Sequence, residues 1–187
     1  MQTNKIILTL SILAVGLFAF SLAQSQTFIQ SSSGGIHYGS VVCIYKNGVL
    51  IEPCHHNLID NTGKDLIAQS LNGTSASNVV LIAVTNNTSA QAATDTASQG
   101  EYLANGGNPC GMTNASGTWV GYGTAGQWNV TNTFTSSCAS VTVNGTALYN
   151  NSLSNGLANK LFAETTFTST TLNANDQINV TWGIYIS

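Results

Sequence analysis

The sequence contains no arginine and only four lysines, Lys5, Lys46, Lys64 and Lys160. Nucleic-acid binding rests on cations that neutralise phosphates and release counterions, so a basic recognition face is excluded. The guanidinium fork that captures carboxylates and phosphates at two points is missing as well. Acidic residues are scarce, seven in 187, and a formal net charge of −3 is too small for an acidic tail or a steering field. Charged residues make up 6% of the chain, against roughly 25% in an ordinary globular protein. Disorder pairs low hydrophobicity with high net charge, and a chain that is 43% hydrophobic meets neither condition.

Amides and hydroxyls stand in for charge: 21 Asn, 23 Thr and 20 Ser. The hydrophobic residues are partly concentrated at the N-terminus, where Lys5 precedes an apolar run from Ile6 to Phe20 and then Ser21-Leu22-Ala23-Gln24-Ser25-Gln26. A basic n-region, an apolar h-region and small residues at Ala23 and Ser25 are the parts of a secretory signal. Residues 1–25 are therefore expected to be a signal peptide, cut between Ser25 and Gln26. A prepilin-type cut near Lys5 would instead leave the apolar run as the stem helix of a type IV pilin, a stem that Ser31-Ser32-Ser33-Gly34-Gly35 would soon break. After ordinary removal the chain has the length of one domain, about 150 residues, assigned to residues 36–187. It is expected to be extracellular, at the cell surface, and without membrane attachment.

Four cysteines, Cys43, Cys54, Cys110 and Cys138, form an even set, which in an exported chain reads as disulfides with three possible pairings. Cys43 and Cys54 flank Asn47-Gly48, a hairpin turn signal. That places them on facing strands and leaves Cys110 with Cys138.

Strand patterns cover most of the domain. Ile36, Tyr38, Ser40, Val42 and Ile44 alternate with a second row that also becomes apolar, and Val79 to Val84 is a short unbroken apolar run. Such a run marks a strand buried on both sides. Trp128, Val130 and Phe134 share one parity. Val141 and Val143 lead into Asn144-Gly145, read as a second hairpin turn, with the chain returning through Leu148. Leu161 to Phe167 and Gln177 to Ile186 complete the set. In the last of these Ile178, Val180, Trp182, Ile184 and Ile186 face one way, so a one-residue slip would expose the whole row. One helix interrupts the strands: Thr62-Gly63-Lys64-Asp65 fits a capping box, Leu66, Ile67 and Leu71 supply an apolar face, and Asn72-Gly73 supplies a stop. The fold class expected is all-β, a single Ig-like or jelly-roll-like β-sandwich with one short helix.

The chemistry of sites is sparse. His55-His56 follows Cys54, but adjacent strand residues point to opposite faces, and no second His/Cys cluster completes a tetrahedral metal set. The pair reads as an exposed loop beside a disulfide. Asp60-Asn61 and Asn173-Ala174-Asn175-Asp176 carry oxygen ligands, yet neither has a full calcium string, and turn formation is their expected role. The acidic residues are scattered without an evident facing pair, and no nucleophile elbow appears. Gly106-Gly107 and Gly121-Tyr122-Gly123 do not precede a helix, as a phosphate cradle requires. A non-enzymatic protein without metal or cofactor is expected. Trp119, Tyr122 and Trp128 belong to the sandwich core on the simplest reading, or to an exposed patch in a carbohydrate-binding or adhesive module.

Asn-x-Ser/Thr occurs at Asn72, Asn86, Asn87, Asn114, Asn129, Asn144, Asn150 and Asn179, eight candidate glycan acceptors. Asn129 and Asn179 lie opposite the apolar rows, and Asn144 falls in the expected turn.

Before the first core strand, Thr27-Phe28-Ile29 is a short β-prone run followed by Ser31-Ser32-Ser33-Gly34-Gly35, a tract with linker composition. A strand on such a hinge, residues 26–35, can add to the sheet of another molecule through main-chain hydrogen bonds. Repeated head to tail without closure, that contact makes a filament. The signal, the hinged strand, the single sandwich, the scarce charge and the dense sequons together resemble subunits of archaeal extracellular filaments, the threads and bundling pili. The resemblance implies donor-strand complementation, with Gln26, Thr27, Phe28, Ile29 and Gln30 completing a neighbour's sandwich. It also implies a second copy of the chain as partner, with other cell surfaces beyond it and no nucleic acid. The strand from Ile36 to Tyr45 is a further segment available for donation. The stretch from Leu161 to Ser187 also resembles β-rich virion or tail-associated surface proteins, which implies an attachment module. Mass spectrometry of the native protein is expected to find sugar on sequon peptides, and unmodified peptides throughout would remove glycans from this account.

Overall fold

The structure is a computed structural model that describes residues 37–57, 59–73, 78–89, 91–102, 110–121, 123–151 and 160–186. The expected signal peptide, the donor strand and hinge (26–35), Ile36 and Tyr122 lie outside the described residues. Two antiparallel sheets pack as a sandwich. The elements are β1 (Tyr38–Lys46), β2 (Val49–Leu50), β3 (His55–Asn57), α1 (Asn61–Leu71), β4 (Asn78–Thr85), β5 (Ala115–Ser116), β6 (Thr118–Gly121), β7 (Gln127–Thr135), β8 (Val141–Asn151), β9 (Leu161–Leu172) and β10 (Gln177–Ile186). The first sheet runs β2-β1-β10-β7-β6, with β3 also on β1, and the second runs β5-β4-β8-β9.

Strand β10 lies in the middle of the first sheet, in register with β1 from Lys46↔Ile178 to Tyr38↔Ile186 and with β7 on its other side. Its row Ile178, Val180, Trp182 and Ile184 is buried as the alternation requires, whereas Ile186 at the open end is exposed. Facing it across the core are Ile82 and Val84 from β4, Val143 and Leu148 from β8, and Phe162 from β9. Strand β1 is buried on both faces, Val41 and Val42 alike. Nine residue pairs join it to β10 within its own sheet. Both expected disulfides form, Cys43–Cys54 and Cys110–Cys138.

The two Asn-Gly pairs behave differently. Asn47 and Gly48 both have positive φ, 49° and 80°, the backbone that a two-residue hairpin turn demands. Asn47 also donates to Asp176 Oδ1 at 2.9 Å and accepts from the Gln177 N–H at 2.8 Å, which locks the β1–β2 turn onto the β9–β10 turn. Asn144-Gly145 is not a turn. Neither residue has positive φ, and β8 runs through both, with a register shift against β9 between Val143 and Gly145. Gly145 is required there by space, since a Cβ would lie 2.5 Å from Thr85 Oγ1 and 3.2 Å from the Thr165 carbonyl oxygen.

The helix begins earlier than the capping-box reading placed it. Asp60 is the N-cap, without a side-chain cap bond, and the Thr62 hydroxyl donates to the Asp95 carbonyl at 3.4 Å instead. Gly63 lets the first turn approach β9, because a Cβ would meet the Phe162 carbonyl oxygen at 2.3 Å. Leu66 is buried and Ile67 half-buried, but Leu71 stands out in solvent. The expected stop at Asn72-Gly73 holds, with Asn72 N–H bonded to the Ala68 carbonyl and Gly73 at φ 76°. His55-His56 is not a loop but the strand β3, paired with Val41 and Val42 of β1.

Gly145→Ala is expected to lower the urea midpoint of unfolding by the equivalent of about 1–3 kcal/mol, the usual cost of overpacking. A neutral result would show that β8 yields at this point.

Candidate functional site

At one end of the sandwich the two sheets separate and leave an apolar groove of about 470 Å³. Ile67 and Leu71 of α1 form one wall, Val79 and Val80 of β4 another, and Trp119 of β6 and Trp128 of β7 a third, with Ile186 at the mouth. The groove exists because the edge strand changes sheets. Strand β5 pairs with Leu81 and Ile82 alone, the chain turns at Gly117, and β6 then pairs with β7. Gly117 permits the crossing, since a Cβ would lie 2.7 Å from Val130 Cγ1 and 3.0 Å from the Thr131 carbonyl oxygen. Asn78 and Val79 therefore have no strand beside them on the β5 side among the described residues.

Six large apolar side chains are exposed among the described residues, and three of them, Leu71, Trp119 and Ile186, line this groove. Trp119 is 61% exposed, whereas Trp128 is half-buried against the main core. A second groove of about 410 Å³ shares Ile67 and Leu71 and is bordered by His37 and Tyr38. The chain thus enters its first strand at the rim of the same apolar region.

Two other stretches of sheet edge are covered. Strands β2 and β3 occupy the outer side of β1. On β9, Ile59 bridges to Ala163, and Glu52 accepts from both the Thr168 N–H at 3.0 Å and its hydroxyl at 2.6 Å. Such covering is how natural sheets prevent unwanted strand pairing, and among the described residues it is lacking at the start of β4, as it is along the outer side of β6.

A second feature overturns the reading of the acidic residues as scattered. Asp60, Asp95, Glu101 and Glu164 gather beside Tyr149 on the outer face of the second sheet. Ala83, Ala147 and Glu164 form one cross-strand row there, and the small alanines let residues 91–102 pack down over it. Ser98 N–H donates to the Tyr149 hydroxyl at 2.8 Å, and that hydroxyl donates to Glu101. Burial, then the neighbouring Glu164 and Asp95 charges, push the Asp60 carboxyl up to about 7, with Lys64 opposing. Its Oδ2 is buried without a hydrogen-bond partner. Burial and the hydrogen bond to Asp95 push Glu164 to about 7 as well. Burial raises Glu101 against the opposing Tyr149 bond. One sign of this cluster was present in the sequence: Glu164 is a lone acid in the apolar strand Leu161 to Phe167.

The remaining expected site residues are dispersed. Donor residues Gln26 to Gln30 fall outside the described residues. Among the sequons, Asn144 and Asn150 are buried, at 5% and 4% exposure. Asn144 donates to the Asn86 carbonyl and Asn150 accepts from Lys160 N–H. Asn72 and Asn86 are exposed, and Asn87, Asn114, Asn129 and Asn179 are half-buried. His55 bonds Thr165 while His56 meets Tyr185 edge-on, so the two rings diverge as their adjacency required. Asp176 sits in the turn expected of it, accepting from Asn173 N–H. No group of three or more His, Cys, Asp or Glu residues suited to a metal occurs among the described residues. Both disulfides fit an oxidising compartment, and no helix among the described residues is long and apolar enough to cross a membrane. Comparison with protein families, curated proteins and solved structures finds no match to this chain.

Because the folded protein holds protons on Asp60 and Glu164 that the unfolded chain releases near pH 4, stability should be greatest below that pH. It should fall as pH rises through about 7. A urea midpoint clearly higher at pH 5 than at pH 8, equivalent to a few kcal/mol at about 1.4 kcal/mol per pKa unit, is the expected outcome. Equal midpoints would mean that the cluster is ionised in the fold.

Proposed function

We propose that the protein is a non-enzymatic structural subunit of an extracellular filament, in which residues 26–30 of one copy dock beside β4 of the next. The observation that carries this reading is the unpaired start of β4 beside an apolar groove, at the end of the sandwich where β1 begins. A strand laid along Asn78 and Val79 would gain ladder hydrogen bonds, and Phe28 and Ile29 would fill the space between α1 and the two tryptophans. Each such side chain contributes roughly 1.5–3 kcal/mol on burial and each ladder bond about 0.5–1.5 kcal/mol. Association costs about 4–15 kcal/mol, so a short donor lies near balance and neither plug residue is dispensable. The scarcity of charge leaves little to be screened by salt, so assembly should be nearly independent of ionic strength. Exposed sequons on such a fibre would add a sugar coat at Asn72 and Asn86.

The same groove supports a second reading, a secreted carbohydrate-binding module, through the exposed indole of Trp119. Deletion of residues 26–35 separates the two. A filament subunit becomes a folded monomer that no longer forms fibres in the electron microscope, whereas a sugar-binding monomer is unaffected.

Phe28→Asp should leave a subunit that accepts but cannot donate, and Trp119→Ser one that donates but cannot accept. Each alone is expected to stay monomeric by light scattering, and their mixture to stop at capped dimers. Filaments from either variant alone would defeat the mechanism.

A further inference from the structure

Four of the seven acidic residues in this chain meet at one place, carried there by three separate parts of the chain. Asp60 caps α1 and Glu164 projects from β9. Asp95 and Glu101 belong to residues 91–102, which cross the outer face of the second sheet. The same side chains fasten that crossing. Glu164 hydrogen-bonds to both Asp95 and Ser98, Tyr149 joins Ser98 to Glu101, and Asn61 N–H reaches the Ala93 carbonyl at 2.8 Å. Asp95 in turn accepts from Ala92 N–H at 2.8 Å. Beneath lies a small apolar cluster separate from the main core, Ala83, Ala147, Tyr149 and Leu161.

Two carboxyl groups hydrogen-bond to one another only when one carries a proton. Few basic groups are near enough to take its place. Lys64 acts on Asp60 from the surface of α1, His55 on β3 is engaged with Thr165 and Glu52, and the chain has no arginine. The acids that face the shared proton are thus Asp60, Asp95, Glu101 and Glu164, with the Tyr149 phenol beside them.

We propose that residues 91–102 are a proton-gated strap, closed on the second sheet while the Asp60 and Glu164 carboxyls hold a proton and released when it is lost. Release uncovers the Ala83–Ala147–Tyr149–Leu161 cluster. No covalent step is involved: the proton passes to solvent, and repulsion between carboxylates replaces the hydrogen bond.

Hydrogen–deuterium exchange on the full secreted chain tests this, with rates corrected for intrinsic chemistry. Between about pH 5.5 and about pH 8.5, protection of residues 91–102 is expected to fall roughly tenfold or more, since one pKa unit is a factor of ten, while β10 keeps its protection. Glu164→Gln, which donates and accepts without ionising, should hold the strap closed at the higher pH. If that variant does not fold, Asp95→Asn replaces it with the same expected result. Parallel pH responses in the strap and β10 would overturn the proposal, as would opening of the neutral variants. So would closure at high pH on adding calcium chloride, because the countercharge would then be a divalent cation.

Discussion

The inward row of β10 is the constraint on which the remaining architecture depends. Ile178, Val180, Trp182 and Ile184 are buried between two other central strands and against three strands of the opposite sheet. A slip of one residue would turn the whole row to solvent, so β10 fixes β1 on one side and β7 on the other. The position of β7 then dictates where β6 lies, and the chain must leave the second sheet after β5, at Gly117, to reach it. The open corner beside β4 follows from that crossing. The groove is therefore a product of register, not an accident of loop conformation.

The surface solves solubility without charge. On the outer face of the first sheet, Asn179 donates to Thr133 at 2.8 Å, Thr131 and Thr181 share a hydrogen bond at 3.0 Å, and Thr181 donates to Asn179 at 3.2 Å. A ladder of hydroxyls and amides presents polar atoms to water and satisfies many of them internally. Charge is then reserved for a few places: Lys46 and Asp176 between two turns, Glu52 on the edge of β9, and the carboxyl cluster under residues 91–102.

Legibility from the sequence followed the range of the interactions. Gln177 to Ile186 declared itself as a strand because burial of one face imposes period two on neighbouring residues, and Val79 to Val84 because burial of both faces leaves a short unbroken apolar run. The Cys43–Cys54 bridge was legible because its turn lies between the two cysteines. The Asn144-Gly145 pair misled because glycine serves two purposes, positive φ and absence of a Cβ, and only the position of Thr85 decides which applies. The capping box failed likewise, because Gly63 must approach Phe162 and this sets the helix start at Asn61. Strand β6 has four exposed residues and no alternation, so the sequence left Trp119 between core and exposed patch, and only its 61% exposure beside the groove decides. The convergence of Asp60, Asp95, Glu101 and Glu164 spans residues far apart in the chain, and composition alone contains no trace of it.

The antiparallel pairing of β1 with β10 has a mechanical meaning. Tyr38 lies opposite Ile186, so a pull that separates the start of β1 from the end of β10 opens the nine pairs one after another and not together in shear. The Cys43–Cys54 bridge lies part-way along that path and ties the strand to the segment leading into β3. Forced unfolding is governed by the rate of crossing a barrier and not by equilibrium stability, so a covalent bridge placed along the opening path bears on a pulling experiment in a way that a thermal melt would not report.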